Sequence, residues 1–172
     1  QSENADGVKP LDNVLIREML IDEIHLLEDF IYEAIFQRDP NNPIPRSVTK
    51  EPSIRVYIED FGGPHDHCLM AECQGKVVGA VWTRVLDGEV KGFGNIDGET
   101  PEFAISLYDA YRGKGIGTEL MKAMVELLKE KGYKRTSLAV QKDNYAVKMY
   151  KAMGFKVLKE SEEEYLMVLD LD

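Results

Sequence analysis

A strand pattern that runs straight into a glycine-rich turn and then into a helix constrains the fold of this chain more than any other feature. The strand pattern is EFAISLY (102–108), the turn is YRGKGIGT (111–118), and apolar residues then recur at helical spacing from Leu120 to Leu128. Glycines at the start of a helix cost conformational entropy and give up side-chain caps. Since unpaired amides at a helix N-terminus bind anions, the bare turn predicts a phosphate-type site beyond the end of a strand.

The spacing of the glycines excludes two common nucleotide-binding loops. A Walker A loop carries its lysine directly after the last glycine, whereas Lys114 lies between the first two glycines of this turn. A dinucleotide-binding fingerprint reads G-x-G-x-x-G and has an acidic residue about 20 positions further on. This turn reads G-x-G-x-G, and the residues near 137 are SLAV. The turn therefore favours an anion other than those held by these two loops.

The remaining periodicity predicts a mixed α/β sheet with helices on both faces. The polar segment 1–11 is predicted to be a flexible N-terminal arm, and 12–172 a single domain. The predicted order is β-α-α-β-β-β-α-β-α-β-β. Strands are expected at NVLIREM, HCLMAEC, KVVGAVWTRV, EFAISLY, RTSLAVQ, FKVL and YLMVLDL, and helices over 22–35, over 51–61, from the glycine turn to Gly132, and at NYAVKMYKAM.

A second motif fits the glycine turn to a known family. The turn matches [RQ]-x-x-G-x-[GA] at Arg112, Gly115 and Gly117, and about thirty residues later the chain reads NYAVKMYKAMGF. Together with the element order, these motifs resemble the GNAT superfamily of acetyl-CoA-dependent N-acetyltransferases over nearly the whole chain. The resemblance implies the GNAT fold, a central mixed, mostly antiparallel sheet of about seven strands with helices on both faces. It implies transfer of an acetyl group from acetyl-CoA to a primary amine by direct attack in a ternary complex.

The resemblance assigns the glycine turn to the pyrophosphate of coenzyme A. The residues whose amides would face the phosphate oxygens are Arg112, Gly113, Lys114, Gly115, Ile116, Gly117 and Thr118. The side chain of Lys114 either adds a charge contact or is solvated, and Ile116 is expected to point into the core.

The strand before the turn is implied to hold the pantetheine arm. Ile105, Ser106 and Leu107 match the segment whose backbone pairs with that arm, as a strand would, and an N–H near Leu107 would polarise the thioester carbonyl. Strand packing remains the alternative role of the side chains of Ile105, Ser106 and Leu107.

Asn144 either contacts the coenzyme or caps the following helix.

Two residues are candidates for proton transfer. Tyr150 matches the family tyrosine that protonates the departing thiolate, and its alternative role is that of a core aromatic. Glu102 lies near the position of a general base in some relatives, but its register is one residue off. Strand alternation would then turn its side chain to the other face of the sheet unless a bulge intervenes. We expect Glu102 to be a solvated strand-end residue, and water is the alternative base.

Charge and cysteine content limit the partners. The formal net charge is −10, which argues against nucleic acid or an anionic membrane as the main partner. Cys68 and Cys73 are five residues apart in one predicted strand and so point to opposite faces, which predicts reduced thiols and a cytoplasmic protein. His65 and His67 lack the further ligands of a zinc site, so no metal is predicted.

The sequence leaves the acceptor open. Small-molecule and peptide amines both fit, and the resemblance admits a homodimer although no feature of the chain indicates one. The alternatives to acetyl transfer are another acyl-CoA donor and a non-catalytic acyl-CoA-binding or sensing module. Four aromatic residues are candidates for an acceptor pocket, namely Tyr57, Phe61, Trp82 and Tyr108.

Overall fold

The computed structural model describes residues 13–172, and the predicted arm over 1–11 lies outside them. One mixed sheet of seven strands has the order β1-β2-β3-β4-β5-β7-β6. Its strands are β1 (Val14–Glu18), β2 (His67–Cys73), β3 (Lys76–Arg84), β4 (Glu102–Leu107), β5 (Arg135–Gln141), β6 (Lys156–Glu160) and β7 (Glu164–Asp170). Neighbouring strands are antiparallel except for β4 and β5, which are parallel. The predicted fold class is confirmed.

Four α-helices cover the two faces of this sheet. They are α1 (Leu27–Ala34), α2 (Pro52–Arg55), α3 (Ile116–Glu130) and α4 (Ala146–Ala152). Short 3₁₀ helices over Ile21–Leu26 and Arg46–Lys50 precede α1 and α2, and a third spans Asp109–Tyr111 before the glycine turn. None of the helices in residues 13–172 has the length and apolar character that a membrane crossing requires.

Alternation along the central strands builds a core on each side of the sheet. In β2, Leu69 and Ala71 pack in the cluster that contains α3, whereas Cys68 and Met70 pack in the cluster that contains α1. Because successive side chains of a strand point to opposite faces, a continuous apolar strand can serve both clusters at once. Cys68 and Cys73 are free thiols, as predicted.

The predicted helix over 51–61 is wrong for most of its length. Only Pro52–Arg55 is α-helical, and turns follow. Side chains of β3 take the carbonyls that a longer helix would use, since the Arg84 guanidinium donates to the carbonyls of Val56 and Glu59 and the Trp82 indole donates to that of Tyr57. The apolar spacing of the segment fits burial, but tertiary hydrogen bonds replace the helical ones.

The separation of β4 from β5 opens a cleft between these two strands. Within the described residues, Glu102 opposite Ser137 is the one register pair between these parallel strands. Residues of both strands beyond that pair line a cleft of about 660 Å³. Helix α3 begins at the wide end of the cleft because the chain leaves β4, passes through the glycine turn and folds back across the sheet.

We expect the face of α3 that packs on the sheet to dominate stability. Met124 is fully buried there, and its replacement by alanine leaves a cavity, so Met124→Ala should lower the free energy of unfolding by about 2–5 kcal/mol. Exposed Lys122 on the same helix is the control, and Lys122→Ala should change it by less than about 0.5 kcal/mol. Urea denaturation measures both. Equal effects would contradict the assigned packing of α3.

Candidate active site

The glycine turn leaves the start of α3 bare toward the cleft. Gly115, directly before the first helical residue, has a φ of 87°, and Gly113 has a φ of 73°. Both are left-handed conformations, which cost residues other than glycine roughly 1–2 kcal/mol. No side chain caps the helix. Gly113, Gly115, Gly117 and Thr118 line the cleft. The first-turn amides and the helix dipole therefore favour an anion at this end of the cleft.

Two residues of the turn face elsewhere. Ile116 is 2% exposed and packs in the core, as expected. The Lys114 ammonium lies 5.9 Å from the centre of the Tyr111 ring on the exposed side of the turn. Neither residue lines the cleft. A contact between Lys114 and a bound anion would thus require its flexible side chain to leave the tyrosine.

Arg112 fastens the turn to two other elements. Its Nε donates to the carbonyl of Leu107 at 3.2 Å, and its Nη2 donates to the carbonyl and to the carboxylate of Glu33, each at 3.1 Å. Its own amide donates to the carbonyl of Asp109. The prediction that this amide is free for phosphate is therefore wrong. Arg112 instead ties the turn to the end of β4 and the C-terminal end of α1.

The backbone of β4 has a free edge toward the cleft. The Tyr108 amide donates to the carbonyl of Val78 in β3 at 3.0 Å. Since the backbone groups of successive strand residues point to opposite sides, the amides of Ile105 and Leu107 face the cleft. Ser106 has the opposite orientation and is paired with Ala80 of β3, and its hydroxyl donates to the carbonyl of Phe30. Ser106 also lines the cleft, but its backbone groups face β3 and not the cleft.

Helix α4 and the turn before it supply two of the predicted residues. The Asn144 side-chain oxygen accepts a hydrogen bond from the Ala146 amide at 2.9 Å, which is compatible with capping, and Asn144 also lines the cleft. Tyr150 lines the cleft as well, and its ring packs against Phe155 with the centroids 5.9 Å apart. Burial raises the pKa of the Tyr150 hydroxyl above its usual value of about 10, so this group stays protonated at neutral pH.

Glu102 is buried at the closed end of the cleft, and the expectation of a solvated strand-end residue is wrong. It is 2% exposed and lies on the α1 and α2 side of the sheet. Its Oε2 accepts hydrogen bonds from the Tyr57 hydroxyl and from the Gly94 amide, whereas its Oε1 has no partner among the described residues. Burial outweighs these hydrogen bonds and raises the pKa of the carboxyl to about 7.

The loop before β4 holds Glu102 in place, which the sequence did not reveal. The Phe93 amide donates to the Tyr57 hydroxyl at 2.9 Å, and the Ser137 hydroxyl donates to the Gly94 carbonyl at 2.7 Å. A Cβ at Gly94 would lie 2.8 Å from the Leu138 backbone, so only glycine allows this close approach. The available signal was the pair of glycines around an aromatic residue in KGFGN.

The other predicted candidates have structural roles. Of the four aromatic residues proposed for an acceptor pocket, Tyr57 lines the cleft, whereas Phe61, Trp82 and Tyr108 do not. The ring nitrogens of His65 and His67 lie 2.9 and 3.1 Å from the Tyr133 hydroxyl. No group of three or more His, Cys, Asp or Glu side chains suited to a metal ion occurs in residues 13–172.

Comparison with known sequences identifies the family. A model of the acetyltransferase (GNAT) family matches residues 30–155. The chain belongs to this family. It is 31% identical over 114 residues to an N-alpha-acetyltransferase of Sulfurisphaera tokodaii, an alignment that covers 60% of this chain and 68% of that protein.

A second relative and a solved structure support the family assignment and the fold. The chain is 30% identical over 112 residues to a mycothiol acetyltransferase of Corynebacterium aurimucosum, covering 64% of this chain but only 33% of that protein. The fold resembles the PaiA N-acetyltransferase of Thermoplasma acidophilum in complex with coenzyme A. The TM-score is 0.65 at 19% identity, over 92% of this chain and 99% of that chain. This structure supports the GNAT fold.

Burial of Glu102 predicts a characteristic dependence of stability on pH. The folded pKa of about 7 lies above the ordinary value of 4.5, so the folded state holds a proton that the unfolded state has lost between these pH values. The stability that depends on this proton is fully present below pH 4.5 and is lost as the pH rises through 7, a change of about 3 kcal/mol. Glu102→Gln cannot ionise and should lack this component.

The measurement is the difference in unfolding free energy between the wild type and Glu102→Gln, followed by urea denaturation from pH 4.5 to 8. Other titrating groups are common to the two proteins and cancel in the difference. A difference that stays constant across this range would show that Glu102 titrates as it does in the unfolded chain.

Proposed function

We propose that the protein is an N-acetyltransferase that moves an acetyl group from acetyl-CoA to a primary amine by direct attack. The observation that supports this proposal is that one cleft is lined by the bare glycine turn, the free edge of β4, the protonated Tyr150 and the buried carboxyl of Glu102. An anion site, backbone donors, an acid and a base are the groups that this reaction requires.

The turn and β4 fit the donor. The amides at the start of α3 suit the pyrophosphate, and the backbone of Ile105 and Leu107 suits the amide groups of the pantetheine arm, which add to β4 as another strand would. Coenzyme A is the ligand named in the complex of the Thermoplasma acidophilum neighbour. Arg112 acts by holding the turn rather than by contacting phosphate through its amide.

The acid and the base differ in their pKa values as the reaction requires. The amine nitrogen loses a proton to Glu102, whose pKa of about 7 leaves a large fraction ionised at neutral pH. The neutral nitrogen then attacks the thioester carbon, the carbon–sulfur bond breaks, and the departing thiolate takes the proton of Tyr150. The nitrogen still carries two protons after the attack, and the one it loses as the amide forms restores Tyr150 through solvent, while Glu102 returns its proton to solvent. The Leu107 amide stabilises the negative charge that develops on the carbonyl oxygen.

A direct attack is favoured over an acetylated enzyme. Cys68 is buried in the cluster on the α1 side of the sheet, and burial raises the pKa of its thiol, which disfavours the nucleophilic thiolate. Neither cysteine lines the cleft. Incubation with acetyl-CoA in the absence of an amine should therefore release no burst of coenzyme A and leave the protein unacetylated.

The defining assay is release of coenzyme A from acetyl-CoA across a panel of primary amines, with succinyl-CoA as a second donor. Turnover with acetyl-CoA and at least one amine would support the proposal. Binding of acetyl-CoA without turnover on any amine would instead favour a non-catalytic acyl-CoA-binding module, and faster turnover of succinyl-CoA would favour another acyl donor.

Tyr150 should act in catalysis and not in donor binding. Tyr150→Phe removes the proton donor but keeps the ring that packs on Phe155, so kcat should fall about 10²-fold or more. Stabilisation by acetyl-CoA should persist, at about 2.7 kcal/mol when the ligand is present at 100 times its Kd. Tyr145→Phe removes an exposed cleft hydroxyl and serves as the control, with kcat nearly unchanged. An active Tyr150→Phe variant would exclude this acid.

Glu102 should control the acid limb of the pH profile. Because the base must be ionised, kcat/KM should rise with pH through a midpoint of about 7 in the wild type. This limb lies well below the titration of an alkylamine acceptor, whose pKa is about 10.4. Glu102→Gln should lose the limb and lower the plateau about 10²-fold or more. If the variant kept both the limb and the rate, water would be the base.

A further inference from the structure

The loop between β3 and β4 fixes one exposed aromatic side chain at the cleft. Phe93 lines the cleft and is 51% exposed. Its backbone is held on both sides, because its own amide donates to the Tyr57 hydroxyl and the next amide, that of Gly94, donates to Glu102. The Gly94 carbonyl is held in turn by the Ser137 hydroxyl. The position of the Phe93 ring is therefore set by the same hydrogen bonds that hold Glu102.

The ring of Phe93 presents an apolar surface beside the proposed base. It stacks on the Tyr57 ring with the centroids 6.4 Å apart and the planes inclined by 18°. An exposed phenyl ring that is ordered by its neighbours and open to a cleft suits an apolar group of a ligand, because its burial removes further apolar surface from water at little entropic cost. The group that binds there would lie next to the atom that gives its proton to Glu102.

The charges that line the cleft act against an acceptor that carries a carboxylate. The charged lining residues in the described part of the chain are Glu33, Glu102, Arg112 and Glu164. Arg112 is already paired with Glu33. Glu102 and Glu164 both line the cleft, and burial raises the pKa of each carboxyl group.

Arg38, a cation that contacts the lining, does not offset this charge. Arg38 lies beside Gln141, to which it donates a hydrogen bond of 2.9 Å, but its guanidinium is paired with Asp143. A carboxylate next to the reacting amine would thus meet Glu102 and Glu164 without a free partner of opposite charge. Like charges in a partly desolvated cleft repel by more than they do in water.

We propose that Phe93 and Glu164 select the acceptor: an amine that carries an apolar group beside it and no free carboxylate. This inference rests on the proposed acetyl transfer and names its substrate class. Phe93 contacts the apolar group, and Glu164 excludes a carboxylate. A capped amino acid, an amino-terminal residue of a peptide and an alkylamine share this chemistry, whereas a free amino acid lacks it.

Three small acceptors separate the two contributions in the coenzyme-release assay. Leucinamide carries the apolar group and no carboxylate, glycinamide lacks the apolar group, and leucine adds the carboxylate. We expect kcat/KM for leucinamide to exceed that for glycinamide on the order of 10-fold, the discrimination that a hydrophobic pocket provides. Leucine should be a poorer substrate than leucinamide by a similar factor or more. A tetrapeptide that begins with leucine distinguishes a peptide source from a free amine.

Variants assign these preferences to residues. Phe93→Ala should bring the leucinamide to glycinamide ratio close to one, and Phe93→Leu should restore part of it, with the KM for acetyl-CoA unchanged in both. Val90→Ala is the matched control, because Val90 is an exposed apolar residue of the same loop that does not line the cleft. A ratio that Phe93→Ala leaves unchanged would overturn the role of Phe93.

Leucinamide differs from leucine in the pKa of its α-amine as well as in lacking the carboxylate. The Glu164→Gln variant separates these two effects on the choice of acceptor. At a pH well above the Glu102 midpoint, where the base is ionised in both proteins, the variant should raise kcat/KM for leucine several-fold and leave that for leucinamide unchanged, since an effect of the amine pKa would be the same in both proteins. Equal use of leucine and leucinamide by the wild type would overturn the exclusion. Failure to acetylate any amine, with acetyl-CoA binding intact, would instead refute the proposed function.

Discussion

The parting of β4 from β5 is the constraint on which the rest of the site depends. Two parallel strands that are paired at Glu102 and Ser137 and then diverge leave backbone groups of β4 without a protein partner. Buried backbone groups need partners, so such an edge is stable only where solvent or a ligand reaches it. The same divergence opens the cleft and directs the chain leaving β4 into the glycine turn, which places the uncapped start of α3 and a free strand edge next to each other.

The wide end of the cleft is held by Arg112. Its guanidinium joins the Leu107 carbonyl, the Glu33 carboxylate and the Glu33 carbonyl, so it links β4, α1 and the glycine turn. Glycines at 113 and 115 adopt left-handed conformations and supply no side-chain contacts of their own. A turn with so few stabilising side chains needs an anchor, and the arginine next to it provides one. The family motif thus combines a glycine turn that has few side-chain contacts with the arginine that holds it in place.

The closed end of the cleft is governed by desolvation. Glu102 accepts two hydrogen bonds on Oε2 and has none on Oε1 within the described residues, so burial is only partly compensated and the pKa rises to about 7. A carboxyl group in such a setting destabilises the fold at neutral pH. Burial with incomplete hydrogen bonding is characteristic of functional sites, where a proton is gained and lost during turnover. The loop that includes Phe93 and Gly94 maintains this environment and also borders the space that an acceptor would occupy.

The sequence by itself determined the order of strands and helices, the mixed sheet and the glycine turn at the start of α3. These follow from periodicity and from glycines, which act locally along the chain. It also placed Ile116 in the core. The tertiary structure decided the rest: side chains of β3 ended the helix predicted over 51–61, and backbone alternation turned the backbone groups of Ser106 toward β3. Glu102 became a buried carboxyl because residues 45 and 8 positions away in the chain close over it, and no local pattern records such contacts.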